Sequence, residues 1–99
     1  MNSTSNQLSG PRFELGRILA TPAALSVVAN ANVSIVHLLS RHVCGDWGDL
    51  SDSDREQNEL AVKAGARLLS SYVLANGQTV WLITEWDRSV TTLLLPGDY

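Results

Sequence analysis

Apolar and polar residues alternate most clearly in the C-terminal third of the chain. Residues 67–74 and 79–86 each read as a β-run, with Asn76-Gly77 between them. Asn-Gly between apolar runs is the strongest short-range hairpin signal, because a type I′ turn needs positive φ at both central residues. A two-residue turn there sets Ala75 opposite Gln78, Val73 opposite Val80 and Tyr72 opposite Trp81. One face then carries Leu68, Ser70, Tyr72, Trp81, Ile83 and Glu85. The other carries Arg67, Leu69, Ser71, Val73, Val80, Leu82, Thr84 and Trp86. Asp87-Arg88-Ser89 turns the chain into a third run, residues 91–95, which Pro96 stops.

Upstream the period changes from two to about 3.6. Thr21-Pro22 predicts a helix start, with Thr as cap and Pro at the first helical position, where a missing N–H costs nothing. Residues 22–29 form that helix, and Asn30-Ala31-Asn32 breaks it. Ser34 caps a second helix over residues 35–44. Ile35, Leu38, Leu39 and His42 recur there at i, i+3, i+4 and i+7, and Gly45 follows as the terminator. Ser51 or Asp52 starts a third helix running to Ala64, with Ser53 and Glu56 at capping-box spacing and Gly65 at its end. Sparse apolar residues place this helix at the margin of the core. Residues 13–20 read as a short strand kinked at Gly16. The expected fold is α+β, with two to three short helices packed on a three- to four-stranded antiparallel sheet over residues 13–99. Residues 1–12, polar and with little to bury, read as a disordered tail.

Length and composition narrow the function classes. Ninety-nine residues at 44% hydrophobic and 17% charged make one globular domain with one modest core. A net charge of −3 argues against non-specific nucleic-acid binding, which needs Lys and Arg against phosphates. A single cysteine, Cys44, cannot form an internal disulfide and fits a reducing compartment. No apolar run nears the ~20 residues of a membrane span, and the N-terminus lacks the basic start and apolar stretch of a secretory signal. A cytoplasmic protein is expected, with no cofactor and no metal.

Three stretches carry a resemblance. They are Leu15-Gly16-Arg17-Ile18-Leu19-Ala20-Thr21-Pro22, Gly45-Asp46-Trp47-Gly48-Asp49-Leu50, and Ile83-Thr84-Glu85-Trp86-Asp87-Arg88-Ser89 running into Thr91-Thr92-Leu93-Leu94-Leu95-Pro96. In these the chain resembles, over residues 13–99, a family of small bacterial proteins met on plasmids, phages and integrative elements. Some of them are loosely labelled as a type I restriction subunit. The resemblance implies a mobile-element setting and no activity that carries over. A chain of this length has no room for a methyltransferase or nuclease domain.

Four sets of residues are candidates for function. Trp47, between glycines on a polar loop, either anchors a partner or folds back as a lid on the core. Asp46, Asp49, Asp52, Asp54, Glu56 and Glu59, opposed only by Arg55, form either a negative patch for a basic partner or a solvated helix face. His42 with Asp46, Asp49, Glu85 and Asp87 supplies the groups that acid–base or metal chemistry uses, but no ligand-spacing motif is present, and His42 on the apolar stripe fits a satisfied, partly buried histidine. Cys44 beside His42 is not a nucleophile pair while both are helical, since residues two apart point about 200° apart. Arg88 is expected to pair with Asp87 or Glu85, or to reach the Asp46–Asp49 loop.

The leading expectation is a small protein-binding accessory factor of mobile DNA. It would dock a partner through Asp46, Trp47, Asp49, Asp52, Asp54, Glu56 and Arg88, one version being a modulator of a host nucleic-acid-targeting system. A small enzyme or ligand-binding domain using His42, Glu85 and Asp87 is the alternative. A second copy, meeting the other sheet face or the edge at residues 91–95, is a further candidate partner.

Overall fold

Local capping decides where the helices begin. Thr21 accepts a hydrogen bond from the Ala24 N–H at 3.2 Å, and Pro22 opens α1, Pro22–Asn30. Ser34 caps α2, Ile35–Val43, through the His37 N–H, and Ser51 caps α3, Asp52–Ala64, through the Asp54 N–H. Each hydroxyl satisfies a donor that a first helical turn leaves free. Ser53 does not act as the cap with Glu56, because the helix has already begun at Asp52. The computed structural model describes residues 10–99, so residues 1–9 of the expected tail lie outside the described residues. The ordered chain starts before residue 13, since the Arg12 N–H donates to the Val43 carbonyl at 2.8 Å. Among the described residues no single helix is long and apolar enough to cross a membrane.

The fold is α+β, with three helices on a four-stranded sheet. The strands are β1, Arg17–Ala20; β2, Leu68–Val73; β3, Thr79–Thr84; and β4, Val90–Leu94, in the order β1-β4-β3-β2. β2, β3 and β4 are antiparallel as expected, but β1 joins β4 in parallel, so the sheet is mixed. The first strand is also shorter than expected, beginning after Gly16. Residues 91–95 are not a free edge, because β1 and β3 flank β4 on both sides.

The β2–β3 register is one residue away from that of a two-residue turn. Tyr72 faces Val80, Ser71 faces Trp81 and Ser70 faces Leu82. The loop has three residues, Ala75 to Gly77. The Leu74 N–H donates to Gln78 O and the Gly77 N–H donates to Leu74 O, both at 2.8 Å. Gly77 takes the left-handed position, φ 82°, that closes a three-residue hairpin. A one-residue slip exchanges faces. Val80, Leu82 and Thr84 therefore share a face with Leu68, Ser70 and Tyr72, while Trp81 and Ile83 share the opposite face with Leu69 and Ser71.

The first of these faces is the helix side. Tyr72, Leu74, Val80, Leu82 and Leu93 pack there with Ala24, Val27 and Val28 of α1 and Leu38 of α2. α3 lies off the β2 edge and buries only Asn58 and Ala61, the marginal place its composition suggested. Asn58 acts there as a substitute strand. Its Nδ2 donates to Leu69 O at 2.7 Å, and its Oδ1 accepts from the Leu69 N–H at 3.2 Å. Removing a partner from a buried polar group costs about 1–3 kcal/mol. Asn58→Ala, which frees both Leu69 groups, is expected to lower the unfolding free energy by about 2–4 kcal/mol in urea titration. Asn58→Asp, which turns a carboxylate oxygen toward a carbonyl, should cost at least as much. A loss below about 0.5 kcal/mol, the level of an ordinary surface change, would show that this contact holds nothing.

Candidate functional site

The 46–49 loop continues the work of Asn58 along the same edge. The Ser71 N–H donates to Trp47 O at 3.0 Å, and the Asp49 N–H donates to Ser71 O at 2.6 Å. The Asp49 carboxylate accepts the next outward donor, the Val73 N–H, at 3.0 Å. Gly48 lies so close that a Cβ there would overlap the Ser71 carbonyl oxygen, and its φ is 77°. Asp46 is held by Arg41, Nε to Oδ2 at 2.7 Å, and its backbone oxygen accepts the Tyr72 hydroxyl at 2.7 Å. The Arg41 guanidinium keeps the Asp46 carboxyl below the usual carboxylate range. Burial raises the Tyr72 phenol to about 12. Arg55 reaches back from α3 to the carbonyls of Gly48 (2.7 Å) and Leu50 (3.2 Å).

Trp47 is 2% exposed, so it is the lid and not the anchor. Its indole stacks on Phe13 (centroids 6.1 Å apart), meets His42 edge-on, and donates from Nε1 to Glu59 Oε2 at 2.9 Å. Arg12 forms a two-pronged pair with the same carboxylate, at 2.8 and 2.9 Å. The Arg12 bond first, and the indole N–H second, depress the Glu59 pKa to about 2. A buried indole needs a partner for its one N–H, and α3 supplies it. The partner-anchoring role expected of Trp47 is thereby corrected.

His42 is fully buried and satisfied, as its place on the apolar stripe suggested. Nδ1 lies 2.6 Å from Ser70 Oγ and Nε2 lies 2.8 Å from Thr84 Oγ1. Thr84 Oγ1 is 2.7 Å from Thr91 Oγ1, and Thr91 donates to Leu15 O at 2.7 Å. The carbonyl at the end fixes every proton in this chain. Thr91 spends its proton on Leu15, so Thr84 donates to Thr91, His42 Nε2–H donates to Thr84, and Ser70 donates to Nδ1. Burial, and next the positive charge of Arg88, lower the His42 pKa to about 4. With both ring nitrogens bound to hydroxyls, His42 does not pair with Cys44, although α2 ends at Val43 and the helical objection lapses.

The remaining candidates separate. Glu85 pairs with Arg67 at 3.4 Å, and Asp87 turns onto the N–H and hydroxyl of Ser89. Neither is directed to His42, so the three do not assemble one site. Among the described residues no group of three His, Cys, Asp or Glu side chains is arranged to hold a metal. Arg88 is an internal tie rather than a partner contact. Its guanidinium donates to carbonyls of Ala61 (3.0 Å), Ala66 (2.6 Å) and Glu85 (3.1 Å), and lies over the Phe13 ring. It binds carbonyls at and just beyond the C-terminal end of α3, Ala61 O also accepting the Gly65 and Ala66 N–H groups, a place where cations are favoured, and not the carboxylates expected for it. Of the acidic run, Asp46, Asp49 and Glu59 are structural. Asp52, Asp54 and Glu56 stand exposed on the first turns of α3 without ion pairs among the described residues.

A groove of about 480 Å³ runs between α3 and the open face of the sheet. Leu69, Ser71 and Trp81 line it from the sheet and Asp54, Gln57 and Asn58 from the helix, together with Leu50 and Arg67. The two-residue turn put Trp81 on the wrong face and so hid this site. A three-residue loop with glycine in its left-handed position would have revealed it. Compared with protein-family models, curated proteins and solved structures, the chain matches none.

The buried imidazole gives the fold a pH dependence. In the unfolded chain His42 takes up a proton below about 6.5, whereas the folded chain resists until about 4. The stability gained from a neutral His42 is therefore complete above 6.5 and is lost as pH falls through that interval, at up to about 1.4 kcal/mol per pH unit. The depressed carboxylate of Glu59 acts lower, between 4.5 and about 2. Denaturant titrations at pH 7, 6 and 5 should show this loss, and His42→Gln should flatten it while lowering stability at pH 7. A wild-type profile flat from 7 to 5 would contradict the assignment.

Proposed function

We propose that this chain is a small protein-binding accessory module whose docking site is the groove between α3 and the open sheet face. The observation that supports this reading is the pairing of an apolar floor, Leu69 and Trp81, with a lining carboxylate, Asp54, that makes no ion pair among the described residues. Aromatic and aliphatic surface in a concave site, bordered by polar groups, is the usual composition of a protein-binding hot spot. The cations near the groove are already engaged. Arg67 is committed to Glu85 and to the Tyr99 hydroxyl, and Arg55 to two carbonyls. Asp52 and Glu56 add negative field beside it, on a protein of net charge −3. The occupant this chemistry favours is a polypeptide segment that sets an aliphatic or aromatic side chain on Trp81 and a Lys or Arg against Asp54.

The mobile-element resemblance gives the reading its concrete version, a cytoplasmic modulator that occupies a basic surface of a host nucleic-acid-targeting protein. Of the residues expected to make the contact, Asp52, Asp54 and Glu56 keep the role. Asp46, Trp47, Asp49 and Arg88 support the scaffold instead. The expected result of capture from host extract is one saturable partner. Leu69→Glu and Asp54→Lys should each weaken its binding tenfold or more with unchanged melting temperatures. Glu14→Lys, at an exposed residue that does not line the groove, should weaken it no more than twofold. Equal capture by all four proteins would remove the groove from the interaction.

A further inference from the structure

The two edges of the sheet are treated differently. At β2 the outward backbone groups of Leu69, Ser71 and Val73 are met by Asn58, Trp47 and Asp49. At β1 nothing comparable occurs among the described residues. The Arg17 and Thr21 N–H groups donate to Ser89 O and Leu93 O of the β4 side, both at 3.0 Å. Strand alternation then turns the N–H and C=O of Ile18 and Ala20 away from the sheet. Ile18 and Leu19 are 44% and 45% exposed, on opposite faces of this strand, and Leu25 on the first turn of α1 is exposed too. A strand edge flanked by apolar side chains is a template for another strand.

We propose that the occupant is a second copy of this chain, pairing β1 with β1 in antiparallel fashion about a two-fold axis to make an eight-stranded sheet. The outward groups select the register. Ile18 exchanges two hydrogen bonds with Ala20 of the other copy, Ala20 does the same with Ile18, and Leu19 meets Leu19 across the axis in a non-hydrogen-bonded pair. Each large side chain on the helix side then faces a small one. The same register sets Arg17 opposite Thr21 of the other copy. The Thr21 hydroxyl donates to the Asp98 carboxylate at 2.7 Å, so that carboxylate sits beside the incoming guanidinium. Arg17 makes no ion pair among the described residues. Two symmetric Arg17–Asp98 pairs therefore close the ends of the interface, and no like charges meet.

Sedimentation of the full chain should show a species of twice the 10.7 kDa monomer, its share rising with concentration. A non-hydrogen-bonded pair brings its Cα atoms to about 4.5 Å, within reach of a disulfide. Mild oxidation of Leu19→Cys should thus give at least ten times more covalent dimer than wild type, whose one thiol is Cys44. Ile18→Cys, facing Ala20 instead of itself, should stay near the wild-type level. Arg17→Glu should weaken dimerisation at least tenfold, and Arg17→Glu with Asp98→Lys should restore it, with circular dichroism unchanged throughout. A chain that stays monomeric to 1 mM, equal cross-linking at positions 18 and 19, or an absence of charge-swap rescue would each overturn the proposal.

Discussion

The outer edge of β2 must have its backbone hydrogen bonds met, and much of the molecule is arranged to meet them. An unpaired strand edge in a small protein is exposed to association, and its polar groups demand partners wherever water is shut out. Three devices cover three successive outward positions: a side-chain amide, a stretch of irregular main chain, and a carboxylate. To reach Ser71, the chain after α2 must pass so near the strand that only glycine fits at position 48. That path carries Trp47 inward over Phe13 and His42. Asn58 must lie level with Leu69, which fixes where α3 can sit, and Arg55 and Arg88 then fasten each end of that helix to neighbouring carbonyls. The groove is a by-product of this placement: a helix held at the rim of a sheet, rather than on its face, leaves a channel beside it.

What the sequence made legible follows from how far each determinant reaches. Helix starts at Thr21, Ser34 and Ser51 were readable because a cap acts over three residues. The hairpin was readable too, but Asn76-Gly77 suits both a two-residue turn and a three-residue loop, and the choice between them inverts a face. The burial of Val80 and Leu82 against α1 decides it, and that information is tertiary. β1 pairs with a strand more than seventy residues later, and nothing local distinguishes parallel from antiparallel there. His42 was placed correctly because its stripe on α2 is an intrinsic pattern. Trp47 and Arg88 lie in loops, where direction has no period to reveal it.

The charged residues show the same division. Read along the chain, six acids between Asp46 and Glu59 look like one patch. In space half of them are absorbed by specific partners: Arg41 for Asp46, the Val73 N–H for Asp49, and Arg12 with the Trp47 indole for Glu59. A carboxylate that accepts several hydrogen bonds is pinned, and its charge is spent on the fold. Only the acids on the first turns of α3, Asp52, Asp54 and Glu56, keep their charge available among these six. Composition overestimates an interaction surface wherever loops need anions to terminate backbone donors.

The polar thread through the core explains why the strands hold one register despite a modest apolar interior. Ser70 lies on β2, Thr84 on β3, Thr91 on β4 and Leu15 just ahead of β1, and His42 of α2 enters the row between the first two. One directional series of hydrogen bonds therefore crosses the sheet from edge to edge. Hydrophobic burial sets which face turns inward but tolerates exchange of one apolar side chain for another of similar volume. A buried hydroxyl has no such tolerance: moving any strand by one residue would turn its oxygen to the other face and strand the next donor in a dry interior. The cost falls on misfolded alternatives rather than on the native state, in which no buried side-chain polar atom among the described residues lacks a partner. Thr91 adds what the ladder alone does not supply, since by holding Leu15 it sets the chain beside β4 before β1 begins, and so selects the parallel entry that leaves the opposite side of β1 open.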